Sequence, residues 1–82
     1  MYKMIKAVTH DGIDRLEGIA KIHSLRGYFY TKPTIGRYIC FVYDDDSEKM
    51  MCSTTICEIH HIDNQIRIKT LNNEYWFEEL EV

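Results

Sequence analysis

Proline occurs once, at Pro33, glycine only four times, and no apolar run approaches the roughly 20 residues a membrane-spanning helix needs. The scarcity of these residues excludes a flexible linker or a low-complexity tract, and no internal repeat is present. An excess of positive charge is also missing. Ten Lys and Arg face thirteen Asp and Glu, a net charge of −3, which argues against a protein whose affinity comes from neutralising phosphates, so nucleic acid is not the expected partner. No apolar signal-like segment opens the chain, and its three cysteines are an odd number, ill suited to a disulfide framework. Free thiols belong to a reducing compartment, so the expected location is cytoplasmic. Three catalytic motifs are absent: a Gly-rich phosphate loop, a Gly-x-Ser-x-Gly elbow and a His-Glu-x-x-His helix.

What is there is a chain of 82 residues with 45% hydrophobic content, six tyrosines, three phenylalanines and one tryptophan. That is room for one domain, residues 1–82, and enough apolar material to exclude disorder. The clearest pattern lies in the C-terminal third. Asp63-Asn64 and Asn72-Asn73 tolerate the positive φ of two-residue hairpin loops, which makes Ile56–Ile62, Gln65–Leu71 and Glu74–Leu80 an antiparallel meander. Counting back from the turns pairs Ile59 with Ile68, Cys57 with Thr70 and His61 with Ile66, then Ile68 with Phe77 and Thr70 with Tyr75, all on one apolar face. The other face sets Glu58 beside Lys69, Lys69 beside Trp76, His60 beside Arg67 and Arg67 beside Glu78.

Met1–Thr9 reads as a strand whose alternation of Tyr2, Met4, Ala7 and Val8 is imperfect around Ile5. His10-Asp11-Gly12 is a turn. In Ile13–Ser24 the spacing of Ile13, Leu16, Ile19, Ala20 and Ile22 suits a helix capped by Asp11, while Gly18 weakens it and leaves a strand returning along Met1–Thr9 equally open. Arg26-Gly27 ends that segment, Tyr28–Thr31 is extended, and Lys32–Gly36 is a loop. Arg37–Tyr43 is a strand with apolar residues on both faces, as for one covered by the rest of a barrel or by a partner chain. If the acidic loop Asp44–Glu48 closes with Tyr43 opposite Lys49, Cys40 falls opposite Cys52. The expectation is a mainly β fold, a small antiparallel barrel or roll of five to six strands with a short N-terminal helix as an option.

Pro33-x-x-Gly36 before a long strand, then Ser53-Thr54-Thr55-Ile56, then Thr70-x-Asn72-x-x-Tyr75, resembles a diffuse set of short SH3-like barrel proteins of bacteria and phages, over residues 33 to 80. The resemblance implies an SH3-like barrel and a small accessory protein of a bacterium or mobile element. Its motifs describe turns and core positions and carry no chemistry.

Cys40, Cys52, Cys57 and His60 are the residues from which a zinc site would have to be assembled. Alternation turns Cys57 inward and His60 outward, so the cysteines are expected as small core residues, with no metal or other cofactor. His61 is expected at the edge of the core. Cys57 and His61 stand at i and i+4 of one strand, too far apart for a direct hydrogen bond, so no catalytic residue and no enzyme is expected. Asp44–Glu48 reads as a solvated hairpin tip. With Glu78, Glu79 and Glu81 it offers acidic surface to a partner that normally holds nucleic acid, as a phage-borne inhibitor of a defence enzyme would.

The function expected is a non-catalytic binding module, a protein-interaction or inhibitory accessory protein with a possible homo-oligomeric state. Its partner-binding residues would be Trp76, Lys69, Arg67 and Glu78, since large aromatics on an outer sheet face anchor interfaces; alternatively the N-terminal segment covers Trp76. The alternative function is small-molecule or nucleotide binding by Tyr28, Tyr30, Lys32 and Arg37, at a site that subunits could share, where rings would stack a base and cations pair a phosphate.

Overall fold

The computed structural model of the protein describes residues 1–81. Alternating residues build six strands: β1 (Tyr2–Thr9), β2 (Arg26–Phe29), β3 (Tyr38–Tyr43), β4 (Met50–Ile62), β5 (Gln65–Thr70) and β6 (Asn73–Glu79), with one helix, α1 (Leu16–Ala20), after β1. Each strand pairs antiparallel with the next, and β6 returns to β1, so the sheet closes on itself. Ring closure gives each strand two sequence-ordered neighbours, which is how barrels limit exposed sheet edges. No described helix is long and apolar enough to cross a membrane.

Inside the ring Met4, Ile39, Phe41, Ile56, Ile68 and Phe77 are fully buried. Phe29, Phe41 and Phe77 meet at centroid distances of 4.9–5.5 Å, filling the interior as side chains fill any small barrel. Gly27 is the position where this packing leaves no room: a Cβ there would run into the Val42 carbonyl oxygen and press on the Phe41 ring. Gly27 therefore belongs to β2 and opposes Tyr43, rather than ending the preceding segment.

The registers separate what local pattern determines from what it does not. Cys40 does oppose Cys52, and Tyr43 N–H reaches Lys49 O at 3.4 Å. Ile59–Ile68, His61–Ile66, Glu58–Lys69 and His60–Arg67 also pair as counted, around a turn in which Asp63 takes a φ of 54°. The next pair, however, is Ile56–Thr70, so Cys57 is the extra residue of a bulge and lies exposed instead of inward. Across the second turn the register differs by two residues: Ile66 opposes Phe77, Arg67 opposes Trp76, Ile68 opposes Tyr75 and Lys69 opposes Glu74.

The cause is the buried hydroxyl of Thr70. It accepts the Asn73 N–H at 3.1 Å, donates to the Asn73 carbonyl at 3.1 Å, and accepts the Thr54 hydroxyl at 3.0 Å, closing the turn around Leu71-Asn72. Asn72 and Asn73 need no positive φ. A shift of two residues preserves which side chains face inward, so the inner and outer sets survive the change.

β1 explains its own irregular alternation. Met4 opposes Phe77 and Lys6 opposes Trp76, leaving Ile5 as a bulge that brings Met4 and Ala7 to the same inner face. β1 and β2 share only two residue pairs, Tyr2–Gly27 and Lys3–Arg26. The rest of that seam is filled by the connecting segment, through Arg15 N–H to Ala7 O at 2.7 Å, Met4 N–H to Leu25 O at 2.7 Å and a bridge between Val8 and Asp14. The segment thus returns along β1 first and then makes a short helix. Its first turn is held by Asp14, not Asp11: the Asp14 Oδ1 accepts the Leu16 N–H at 2.8 Å. Leu16 and Ile19 pack on the core, whereas Ile13 and Ile22 stay exposed.

Candidate functional site

Two outer faces of the barrel carry the residues expected to bind. On the first, three rows of side chains cross β1, β6, β5 and β4: Lys6–Trp76–Arg67–His60 in the middle, Lys3–Glu78–Gln65–Ile62 on one side and Val8–Glu74–Lys69–Glu58 on the other. Trp76 points outward, as one reading of the sequence had it, but its direct neighbours are Lys6 and Arg67 rather than Lys69 and Glu78. The Lys6 Nζ lies 5.2 Å and the Arg67 guanidinium carbon 5.6 Å from its ring centroid, so the half-buried indole stands between two cations. Its Nε1 donates to Oε1 of Glu74 at 2.8 Å, and Arg67 Nε donates to the same oxygen at 2.7 Å. The indole N–H is the leading cause of a Glu74 carboxyl held below the ordinary glutamate range; the Arg67 hydrogen bond and charge add to it, against partial burial.

The neighbouring charges are paired too. Lys69 Nζ stands 3.7 Å from Glu58 Oε2, and His60 Nε2 3.5 Å from Glu58 Oε1. Trp76, Lys69 and Arg67 are therefore brought together with Glu78 on one face, where Trp76 and Arg67 are partnered by Glu74 and Lys69 by Glu58, while Glu78 is in none of the ion pairs among the described residues. A partner docking there would have to displace these contacts, at the cost of leaving polar groups unmatched.

The second face belongs to β2, β3 and the first half of β4. Because Phe29, Ile39 and Phe41 point inward, their neighbours point out. Tyr28 opposes Val42, which opposes Met50; Tyr30 donates its N–H to Cys40 O at 2.8 Å, and Cys40 opposes Cys52. Tyr38 continues the β3 row. Exposure is high for so apolar a set: 46% for Tyr28, 70% for Tyr30, 57% for Tyr38 and 43% for Met50. Beside it the Thr31–Arg37 loop, pinned by Gly36 N–H to Ile56 O at 3.0 Å, walls a shallow cavity of about 290 Å³ lined by Tyr30, Thr31, Gly36, Arg37, Tyr38 and Cys40. Of the expected ligand-binding residues, Tyr30 and Arg37 line this cavity; Tyr28 stands on the same face outside it, and Lys32 is exposed in the loop without lining it. Neither Lys32 nor Arg37 is in an ion pair among the described residues.

The sequence reading missed Tyr38, Met50 and the outward Cys40–Cys52 pair as parts of this face. The signal was present in Arg37–Tyr43: a strand apolar on both sides, once Ile39 and Phe41 are assigned inward, must turn Tyr38, Cys40 and Val42 outward, although Val42, between Tyr28 and Met50, is covered and only 4% exposed. The cysteines also depart from the expected core role, with Cys40 half-buried and Cys52 and Cys57 exposed. Cys40 and Cys52 are a non-hydrogen-bonded pair, since the main chain of Cys40 bonds toward β2; such pairs hold their side chains closest. Partial desolvation, with the adjacent Cys40 thiol, pushes the Cys52 thiol up, away from the thiolate a nucleophile requires. His61 is exposed as well, at the end of β4 where Ile59 is half-buried and Ile62 open. No group of three or more His, Cys, Asp or Glu side chains among the described residues is placed to hold a metal ion. No protein-family model matches the chain, and neither a curated protein nor a solved structure does.

Proposed function

We propose that the chain is a non-catalytic binding module that holds a protein partner on the aromatic outer face of β2, β3 and the first half of β4. The observation that carries this is the side-by-side exposure of Tyr28, Tyr30, Tyr38 and Met50. Tyrosine and methionine are the residues with which interface centres are built, and a contiguous apolar patch on a closed barrel has no structural use of its own. Lys32 and Arg37 at the rim favour a partner with apolar anchors and an acidic flank. The Trp76 face, balanced within itself, supports the barrel instead. In this reading the module works in the cytoplasm, where its thiols stay reduced. It acts as an accessory or inhibitory protein of a bacterium or phage, the setting that the resemblance to short SH3-like barrels implies.

A second reading has its own observation: Tyr30, Tyr38 and Arg37 converge on one shallow cavity, an arrangement in which a base stacks and a phosphate pairs. A nucleotide held there would be lost on Arg37→Ala and unaffected by Trp76→Ala.

A photo-crosslinking amino acid in place of Tyr30, and separately in place of Lys69, tests the assignment in the cell of origin. The protein-partner reading expects one discrete crosslinked protein from position 30 and none from position 69. Crosslinks from position 69 alone, or from neither, would overturn it.

A further inference from the structure

At the end of the barrel where β1 and β3 finish, a cavity of about 600 Å³ opens between the α1 segment and Tyr43. A second of about 280 Å³ adjoins it and shares Arg15, Ile19 and Tyr43. Their combined size suits a small organic ligand. The two parts differ in chemistry. The larger has an apolar wall made by Ile13, Ile19 and Ile22, of which Ile13 and Ile22 are otherwise unexplained exposed residues. The smaller reaches Arg15, Tyr43, Tyr75 and Asn73 and has no carboxylate in its lining.

We propose that this cleft binds a small molecule with an apolar body and a single anionic head, a carboxylate or a phosphate monoester. The head sits among Arg15, Tyr43 and Tyr75, and the body lies along Ile13, Ile19 and Ile22. None of the ion pairs among the described residues engages Arg15, while its charge lies near enough to Tyr75 to act on that hydroxyl. The Tyr75 hydroxyl oxygen accepts Asn73 Nδ2 at 3.1 Å, which leaves its hydrogen free to donate. Tyr43 and Tyr75 are 5% and 8% exposed, and burial holds both hydroxyls above the ordinary tyrosine range, so both remain donors. A cation and two neutral hydroxyl donors facing one carboxylate-free recess form an anion site by charge-assisted hydrogen bonding.

Two carboxylates stand near the cleft: Asp14, in the lining of its larger part, and Asp45, whose charge acts on the Tyr43 hydroxyl. Asp14 accepts the Leu16 N–H. Asp45 lies 3.5 Å from His23 Nδ1, within ion-pair reach but without hydrogen-bond geometry, so that nitrogen is the one buried side-chain polar atom without a hydrogen bond among the described residues. The His23 ring lies flat on Tyr43, with centroids 3.8 Å apart and planes within 4°, and fixes the tyrosine at the junction of the two parts.

Octanoate, octyl phosphate and octanol, titrated separately into ¹⁵N-labelled protein, test the site by amide shifts. The expected result is saturable binding of at least one of the two anions, with shifts at Arg15, Ile19 and Tyr43, and about ten-fold or more weaker binding of octanol. Which anion binds tighter distinguishes carboxylate from phosphate. Arg15→Gln should weaken the anion about ten-fold and leave octanol unchanged; its side chain is exposed and unpaired, so the fold is retained. Tyr75→Phe should weaken the anion to a smaller extent. Failure of both anions to bind more tightly than octanol, shifts confined to another face, or an Arg15→Gln variant that binds like the parent would overturn the assignment.

Discussion

Trp76 and Arg67 stand directly opposite each other on β6 and β5, and their side-chain N–H groups meet on the same Glu74 oxygen. The three act as one unit, so their effects on stability should not add. Trp76→Ala should cost about 2 kcal/mol, chiefly through lost burial. The double-mutant cycle of Trp76→Phe with Arg67→Ala should show a coupling of about 0.5–1 kcal/mol, a modest figure because the pair is partly exposed. Urea unfolding of the singles and the double measures it.

The same network makes stability depend on pH. With its folded pKa held below the ordinary value of 4.5, Glu74 contributes stability that is present above that pH and is lost as pH falls through the folded value. Unfolding midpoints of the parent and of Glu74→Gln, followed from pH 7 downward, should converge below about pH 4.5. Parallel curves would mean that the carboxylate is not stabilised by its two donors.

Glycine has opposite meanings at two positions. Gly27→Ala should destabilise by about 3 kcal/mol or more, because the added methyl meets main-chain atoms of Val42 that cannot give way. Gly18, in α1 with open space around it, should gain about 0.5–1 kcal/mol on replacement by alanine. Thermal or urea denaturation of the two variants reads both signs.

Cys40 and Cys52 occupy a cross-strand position whose Cα separation, about 4.5 Å for such pairs, falls within disulfide range. Hydrogen peroxide should oxidise one thiol to a sulfenic acid with release of water, and the other thiol should displace a second water to form the disulfide. Mass spectrometry after digestion should find Cys40 joined to Cys52 and Cys57 unjoined. A disulfide containing Cys57 would contradict the register of β3 and β4.

Legibility in the sequence followed the range of the interaction. The inner and outer sets of β5, of β6 and of β4 from Glu58 to His60, and the Cys40–Cys52 pairing, could be read because period-two alternation and nearby turns determine them; before the Cys57 bulge the β4 faces exchange, and Ile56 rather than Cys57 is buried. The register of β6 could not, because the Thr70 hydroxyl, rather than the Asn72-Asn73 dipeptide, closes its turn. The Cys57 bulge leaves no local mark. The α1 segment resisted assignment because it is an extended return and a helix in succession. For the sites the limit was similar: Lys6 reaches Trp76, and Arg15 approaches Tyr75, only through the closure of β1 against β6, a contact between opposite ends of the chain. Tyr30 and Arg37 could be found because they flank one short loop.

The most direct test of the proposed interaction face is a comparison of three immobilised proteins, the parent, Tyr30→Ala/Tyr38→Ala and Trp76→Ala, as baits for the protein crosslinked from position 30. With folding of each confirmed by circular dichroism, the parent and Trp76→Ala should retain that protein and the double tyrosine variant should lose it. Retention by the tyrosine variant, with loss on Trp76→Ala, would contradict the account and return the interface to the charged face around the tryptophan.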